Sequence, residues 1–332
     1  MQAVPTGDMG MVGAACRRGV LFAAILGLML AAAGRATAGD RYVLVSHAGA
    51  SDPFWKVVFK GASAAARETG VDLSIRSPGK VNDYSRQIAL LDNAVEEGVA
   101  AIATTITDAD AFGPALRRAR DAGIPVIAYN ARPTDHAGRD DLPYAAYIGM
   151  NDYKAGRKLA REAWRRGDLK GRVAVLIQQA GHAGLEARHR GISEVLAEKA
   201  PDLAVDRVVV GSDARAAAGT IKAYLDDHAG VSAFLSLGPL SAHPAGRVLK
   251  RRDADIFFAA VDMTPLMIRM IRDGLLAFTL DQQPYMQGYL AVKLMRLTAR
   301  YGMEPPDVNT EPSVVDSENV GRVAALARKR IR

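Results

Sequence analysis

The sequence predicts an α/β protein of two doubly wound parallel-sheet lobes. Short apolar runs alternate with longer helix-period segments from residue 41 onward. Strands joined by crossover helices that cover both sheet faces read this way. The candidate strands number ten, more than one such lobe usually carries. A chain of 332 residues is also too long for one typical core and about right for two.

Taken in order, strands are expected at 41–46, 71–77, 100–106, 124–130, 144–149, 171–177, 205–210, 231–237, 256–262 and 277–281. Helices are expected near 53–69, 83–97, 110–122, 151–166, 184–199, 213–228, 240–251, 264–273 and 284–301. Gly70, Gly98, Gly123 and Gly274 stand where helices stop and positive φ is needed. Between Ala131 and Tyr144 lie two prolines, a glycine and five charged side chains, which reads as a surface segment between two halves.

The N-terminus is set apart. Arg17-Arg18, an apolar run from Val20 to Ala33 and Ala36-Thr37-Ala38 have the order of a cleavable secretory signal. Residues 1–38 are therefore expected to be removed after Ala38, placing the mature protein outside the cytoplasm. The run is too short and too rich in alanine and glycine for a membrane span. Cys16, the one cysteine, precedes this run. The mature chain would thus have no disulfide, thiol nucleophile or cysteine metal site. The formal charge is +7, from 43 Lys and Arg against 36 Asp and Glu. The surplus is scattered, with no basic stripe interleaved with aromatics, so nucleic acid is not an expected partner.

The candidate site residues gather at strand ends, where open α/β sheets bind ligands. Asp52 can cap a helix that opens with Pro53, and the aromatics Phe54 and Trp55 follow directly. Those rings either pack the helix start or stack on the apolar face of a ligand. Asp108 either caps the next helix or meets a ligand. Asn130, at a strand end, is either a turn residue or an amide for hydroxyls. Arg188, on a helix, has a planar fork suited to vicinal hydroxyls. Asp262 ends a strongly apolar strand, and Gln282 is similarly placed after Phe278-Thr279-Leu280. No G-x-G-x-x-G follows a strand, and neither H-E-x-x-H nor G-x-S-x-G occurs. Oxidoreductase and hydrolase readings therefore lose their usual signatures. A ligand-responsive repressor would need a helix-turn-helix where the export signal lies.

In order and spacing, several segments resemble the periplasmic sugar-binding proteins of ABC transporters, the ribose- and galactose-binding type. They are Asp52-Pro53-Phe54-Trp55, Thr107-Asp108-Ala109-Asp110-Ala111, Gly123 to Asn130, Glu186 to Gly191, Ala260-Val261-Asp262 with Pro265, and Thr279 to Pro284. The resemblance covers nearly all of residues 41–318. It implies two lobes joined by a three-crossing hinge, 39–142 with 283–309 and 143–282 with 310–332. It implies a monomeric receptor without metal or cofactor that binds a small sugar or polyol. Its partner would be an ABC permease or, alternatively, a membrane sensor or histidine kinase. It also implies ligand contacts for Asp52, Phe54, Trp55, Asp108, Asn130, His182, Arg188, Asp262 and Gln282. Asn130-Ala131 stands where the ribose type has an Asp-Arg pair, Gly238-Pro239 where it has a polar asparagine, and an aromatic is missing near Ala214. A wider or less polar pocket is expected on that side.

Overall fold

The computed structural model describes residues 1–3, 41–133 and 142–332. The expected export signal and cleavage site, 1–38, lie almost wholly outside them. Arg41–Arg332 forms one unit that holds two sheets of six strands each.

The first sheet contains β1 (Arg41–Val45), β2 (Asp72–Arg76), β3 (Ala101–Thr104), β4 (Val126–Tyr129), β5 (Ala146–Gly149) and a late strand, β11 (Val308–Asn309), in the order β11-β5-β4-β3-β1-β2. Every pairing in it is parallel. Helices α1 (Pro53–Thr69), α2 (Tyr84–Glu96) and α3 (Ala109–Asp121) connect its strands. β1, β3, β4 and β5 are near-continuous apolar runs because both sheet faces are covered. Tyr42 and Leu44 of β1 face one core layer with α1, while Val43 and Val45 face the other with α2 and α3.

The second sheet repeats the plan. It has β6 (Arg172–Ile177), β7 (Ala204–Val209), β8 (Val231–Ser236), β9 (Phe257–Val261), β10 (Phe278–Asp281) and β12 (Ser313–Asp316), in the order β12-β10-β9-β8-β6-β7. Its helices are α4 (Asp152–Arg166), α5 (Ala183–Lys199), α6 (Ala214–Asp227), α7 (Pro239–Arg252) and α8 (Pro265–Arg272), with α10 (Val320–Arg328) at the end. β12 runs antiparallel to β10, pairing Ser313 with Asp281.

The chain passes between sheets from β5 to α4, from β10 to α9 (Pro284–Tyr301), and from β11 to β12. The expected change of lobe at 142/143 needs correction. β5 pairs with β4, matching Ala128 with Tyr147, so the chain leaves the first sheet only after Gly149. The apolar run 146–149 is buried and completes that sheet. The charged segment before it is a connection within one lobe. After each of the first two crossings, the arriving helix docks on a helix of the host lobe through glycine pairs. A Cβ on Gly288 of α9 would lie 2.0 Å from the Val58 carbonyl oxygen of α1, and one on Gly156 of α4 would lie 2.0 Å from that of Arg188 on α5.

Candidate functional site

The carboxyl ends of the two sheets face one another, and the loops there enclose a cavity of about 60 Å³. The wall begins at the start of α1. Asp52 Oδ1 accepts the Phe54 N–H at 2.9 Å, and Pro53 follows at the first helical position, where no N–H is required. This fixes Phe54 and Trp55 at the cavity edge. They also pack edge-on against each other at 5.3 Å, and Trp55 meets His47 at 4.9 Å and Tyr129 at 6.1 Å. Packing and cavity lining are one role here, since Trp55 is only 2% exposed.

Asn130 after β4 and Asp262 after β9 occupy matching places in the two lobes. Both take left-handed backbone, with φ of 63° and 73°. Their N–H groups bond Ile148 at 2.8 Å and Leu280 at 2.7 Å, each on the neighbouring strand. Gln282, in the second crossing, links them. Asn130 Nδ2 donates to Gln282 Oε1 at 3.2 Å, and the Gln282 amide donates to Asp262 Oδ1. Gln287 of α9 extends the network, accepting from Asn130 at 3.0 Å and donating to Thr310 at 3.1 Å in the third crossing.

From the second lobe, His182 caps α5 through Nδ1, which accepts the Leu185 N–H. Further along α5, Arg188 is held from two sides. Its Nε donates to Asp152 Oδ1 at 2.7 Å and its Nη1 to the Leu237 carbonyl at 2.7 Å. The rims of the lobes touch, with the Ala183 N–H 3.3 Å from the Thr107 carbonyl. His47 and His182 meet edge-on at 5.3 Å.

Burial sets the charges. His182 is pulled down to about 4, first by desolvation and then by the Arg188 cation. His47 is lowered well below the usual imidazole range by burial, then by His182 and Arg188. Both rings are therefore neutral at pH 7. Asp262 is pushed up to about 7 by burial, with Arg188 and the Gln282 amide opposing and the charges of Asp52 and Asp281 adding. Burial also raises Asp52, against the Phe54 N–H, and Asp152, against Arg188.

Of the sequence-based candidates, Asp52, Phe54, Trp55, Asn130, His182, Arg188, Asp262 and Gln282 all line this cavity. Asp108 does not. Its carboxylate caps α3, accepting the Ala111 N–H at 2.9 Å, which is the alternative open for it from the start. The side expected to lose polarity at Gly238-Pro239 is also corrected. A Cβ on Gly238 would fall 2.6 Å from the Gln178 amide, so Gln178 occupies that space and supplies the polar group. His47, Asp152 and Gln178 line the cavity as well and were missed. His47 adjoins the first loop and Gln178 follows a strand, which are usable signals. Asp152 becomes legible only through Arg188, 36 residues away. Among the described residues no three His, Cys, Asp or Glu side chains are grouped to hold a metal. No described helix is long and apolar enough to cross a membrane.

A family profile described as periplasmic binding protein domain matches residues 42–302. The chain belongs to the periplasmic binding protein family. This periplasmic binding protein has a TM-score of 0.77 with a crystal structure of an ABC sugar transporter periplasmic sugar-binding protein from Legionella pneumophila. The two are 33% identical, over 82% of this chain and 99% of that one. A carbohydrate transporter structure from Acidothermus cellulolyticus, in complex with myo-inositol, is 28% identical with a TM-score of 0.77, over 89% of this chain and all of that one (100%). Among curated sequences, a xylose/arabinose-binding protein of Sulfolobus acidocaldarius is 30% identical over 222 residues. That match spans 64% of this chain and 54% of the relative, so this periplasmic binding protein spans about half of that relative's length.

Proposed function

We propose that this protein is an exported, monomeric receptor that captures a small sugar or related polyol between its lobes and delivers it to an ABC importer. One observation carries the reading: donors and acceptors from both lobes and from a crossing converge on one cavity beside an aromatic wall. A sugar has apolar C–H faces that suit Phe54 and Trp55, and hydroxyls that both donate and accept. The latter suit the carboxylates of Asp52 and Asp262 and the amides of Gln178 and Gln282. Myo-inositol in one structural relative and the pentoses named for the curated relative belong to this class. A molecule touching both lobes favours the form in which they meet.

The test is a thermal-shift screen of pentoses, hexoses, inositols and linear polyols, followed by calorimetry. A ligand at a hundred times its Kd adds about 2.7 kcal/mol to native stability. At least one compound should therefore raise the melting temperature clearly. A panel without any shift, confirmed by flat calorimetry, would overturn the reading. N-terminal sequencing of exported protein should begin at Gly39, and a chain still starting at Met1 would remove the periplasmic placement.

A further inference from the structure

The charges around the cavity do not cancel. Asp152 is answered by Arg188, whose guanidinium is also committed to the Leu237 carbonyl. His47 and His182 are neutral. Two carboxylates remain on the lining, Asp52 from the first lobe and Asp262 from the second. Among the described residues no ion pair reaches either. Each bonds through Oδ1 alone, to the Phe54 N–H and to the Gln282 amide. A second feature points to a bound polar molecule: His47 lines the same cavity, is only 8% exposed, and has a buried Nδ1 with no hydrogen-bond partner.

Resting on the receptor reading above, we propose that the captured molecule is a polyol, sugar or cyclitol bearing one protonated amine, with the ammonium between Asp52 and Asp262. Once Asp262 ionises, above about pH 7, like charges brought together from facing lobes oppose closure, and the low dielectric of a buried site strengthens that opposition. A single ammonium converts the repulsion into two charge-assisted hydrogen bonds that bridge the lobes. The remaining hydroxyls fall to Gln178, Gln282 and His47. Uronates and sugar phosphates are disfavoured, because Arg188, the cation on the lining, already has its carboxylate.

Calorimetry at pH 7.5 on matched pairs tests this: hexoses, pentoses and inositols, each against its amino-substituted counterpart, with D-glucuronate as the anion. For a ring that binds, the amine should bind at least tenfold tighter than its hydroxyl parent, and glucuronate not measurably. Asp52→Asn keeps a capping side chain for α1. Asp262→Asn keeps an acceptor for Gln282. Each should shrink the amine's advantage over its hydroxyl parent to within threefold, the amine losing more affinity than the parent, which gives up only a hydroxyl contact. Parents that bind as tightly as their amines, glucuronate binding, or an amine preference surviving in both variants would overturn the inference and leave the receptor reading standing. Binding by no member of any pair would overturn both.

Discussion

Asp262 shows how one buried group joins stability to binding. Its carboxyl titrates near 7 in the folded protein and near the ordinary 3.8 when unfolded. Between those values the native state holds a proton that the unfolded chain has lost, so stability falls as pH rises through this window. Arg188 and Gln282 limit the effect, and Asp52 and Asp281 enlarge it. Asp262→Asn removes the titration. Its stability relative to wild type should change little below pH 4 and rise by up to about 4 kcal/mol toward pH 8. Denaturant melts of both proteins across pH 4–8 measure this, and a flat difference would mean that the carboxyl is not held protonated. Trp55 makes a different case. Its ring is buried among Phe54, Phe59 and Tyr129, so Trp55→Ala should cost about 3–5 kcal/mol of stability as well as affinity. An unchanged melting temperature would assign the ring to the ligand alone. Asp262 and Gln282 were readable in the sequence because a polar residue closing an apolar strand has few bland uses. Asp108 was not separable from a helix cap, because capping and ligand contact ask for the same carboxylate at the same place.

At the scale of elements, the strand–helix alternation was legible, since buried parallel strands are apolar throughout and glycines mark helix ends. The strand at β5 was legible but its lobe was not, because Ala146–Gly149 follow a charged segment that looks like a boundary. The glycine seams were invisible too, because Gly156 and Gly191 matter only once α4 lies on α5. There, a Cβ on Gly191 would be 2.3 Å from the Tyr153 carbonyl oxygen. Backbone at that distance cannot move as a side chain tip can. Gly156→Ala should therefore cost about 1–3 kcal/mol, as overpacked sites do. It should also weaken ligand binding, because the clash is with the backbone of Arg188 itself. The matched change in the first lobe, Gly61→Ala, presses on the Tyr285 carbonyl oxygen at 2.0 Å, away from the cavity lining. It should lower the melting temperature and spare affinity. Equal affinity loss in both variants would show that the seams act on the site only through global stability.

For the whole molecule the question is how firmly the lobes hold one another. The bond between their rims, from the Ala183 N–H to the Thr107 carbonyl, is 3.3 Å long and worth about 0.5–1.5 kcal/mol. The edge-on His47–His182 pair adds a comparable amount, by analogy with other aromatic pairs. Against these stand the loss of water around buried carboxylates and the mutual repulsion of Asp52 and Asp262. The covalent crossings and the Asn130–Gln282–Gln287–Thr310 network keep the lobes attached. We predict that closure is balanced to within a few kcal/mol, the scale of what a ligand contributes at a hundred times its Kd. Small-angle scattering should show a larger radius of gyration without ligand than with it, and a fall that tracks saturation measured by calorimetry. His47→Ala removes one partner of the rim contact and should enlarge the unliganded radius, or leave it unchanged if wild type is already fully open. Scattering curves that superpose with and without a ligand that calorimetry shows to be bound would mean the lobes are rigidly joined, and capture would then have to proceed without hinge motion.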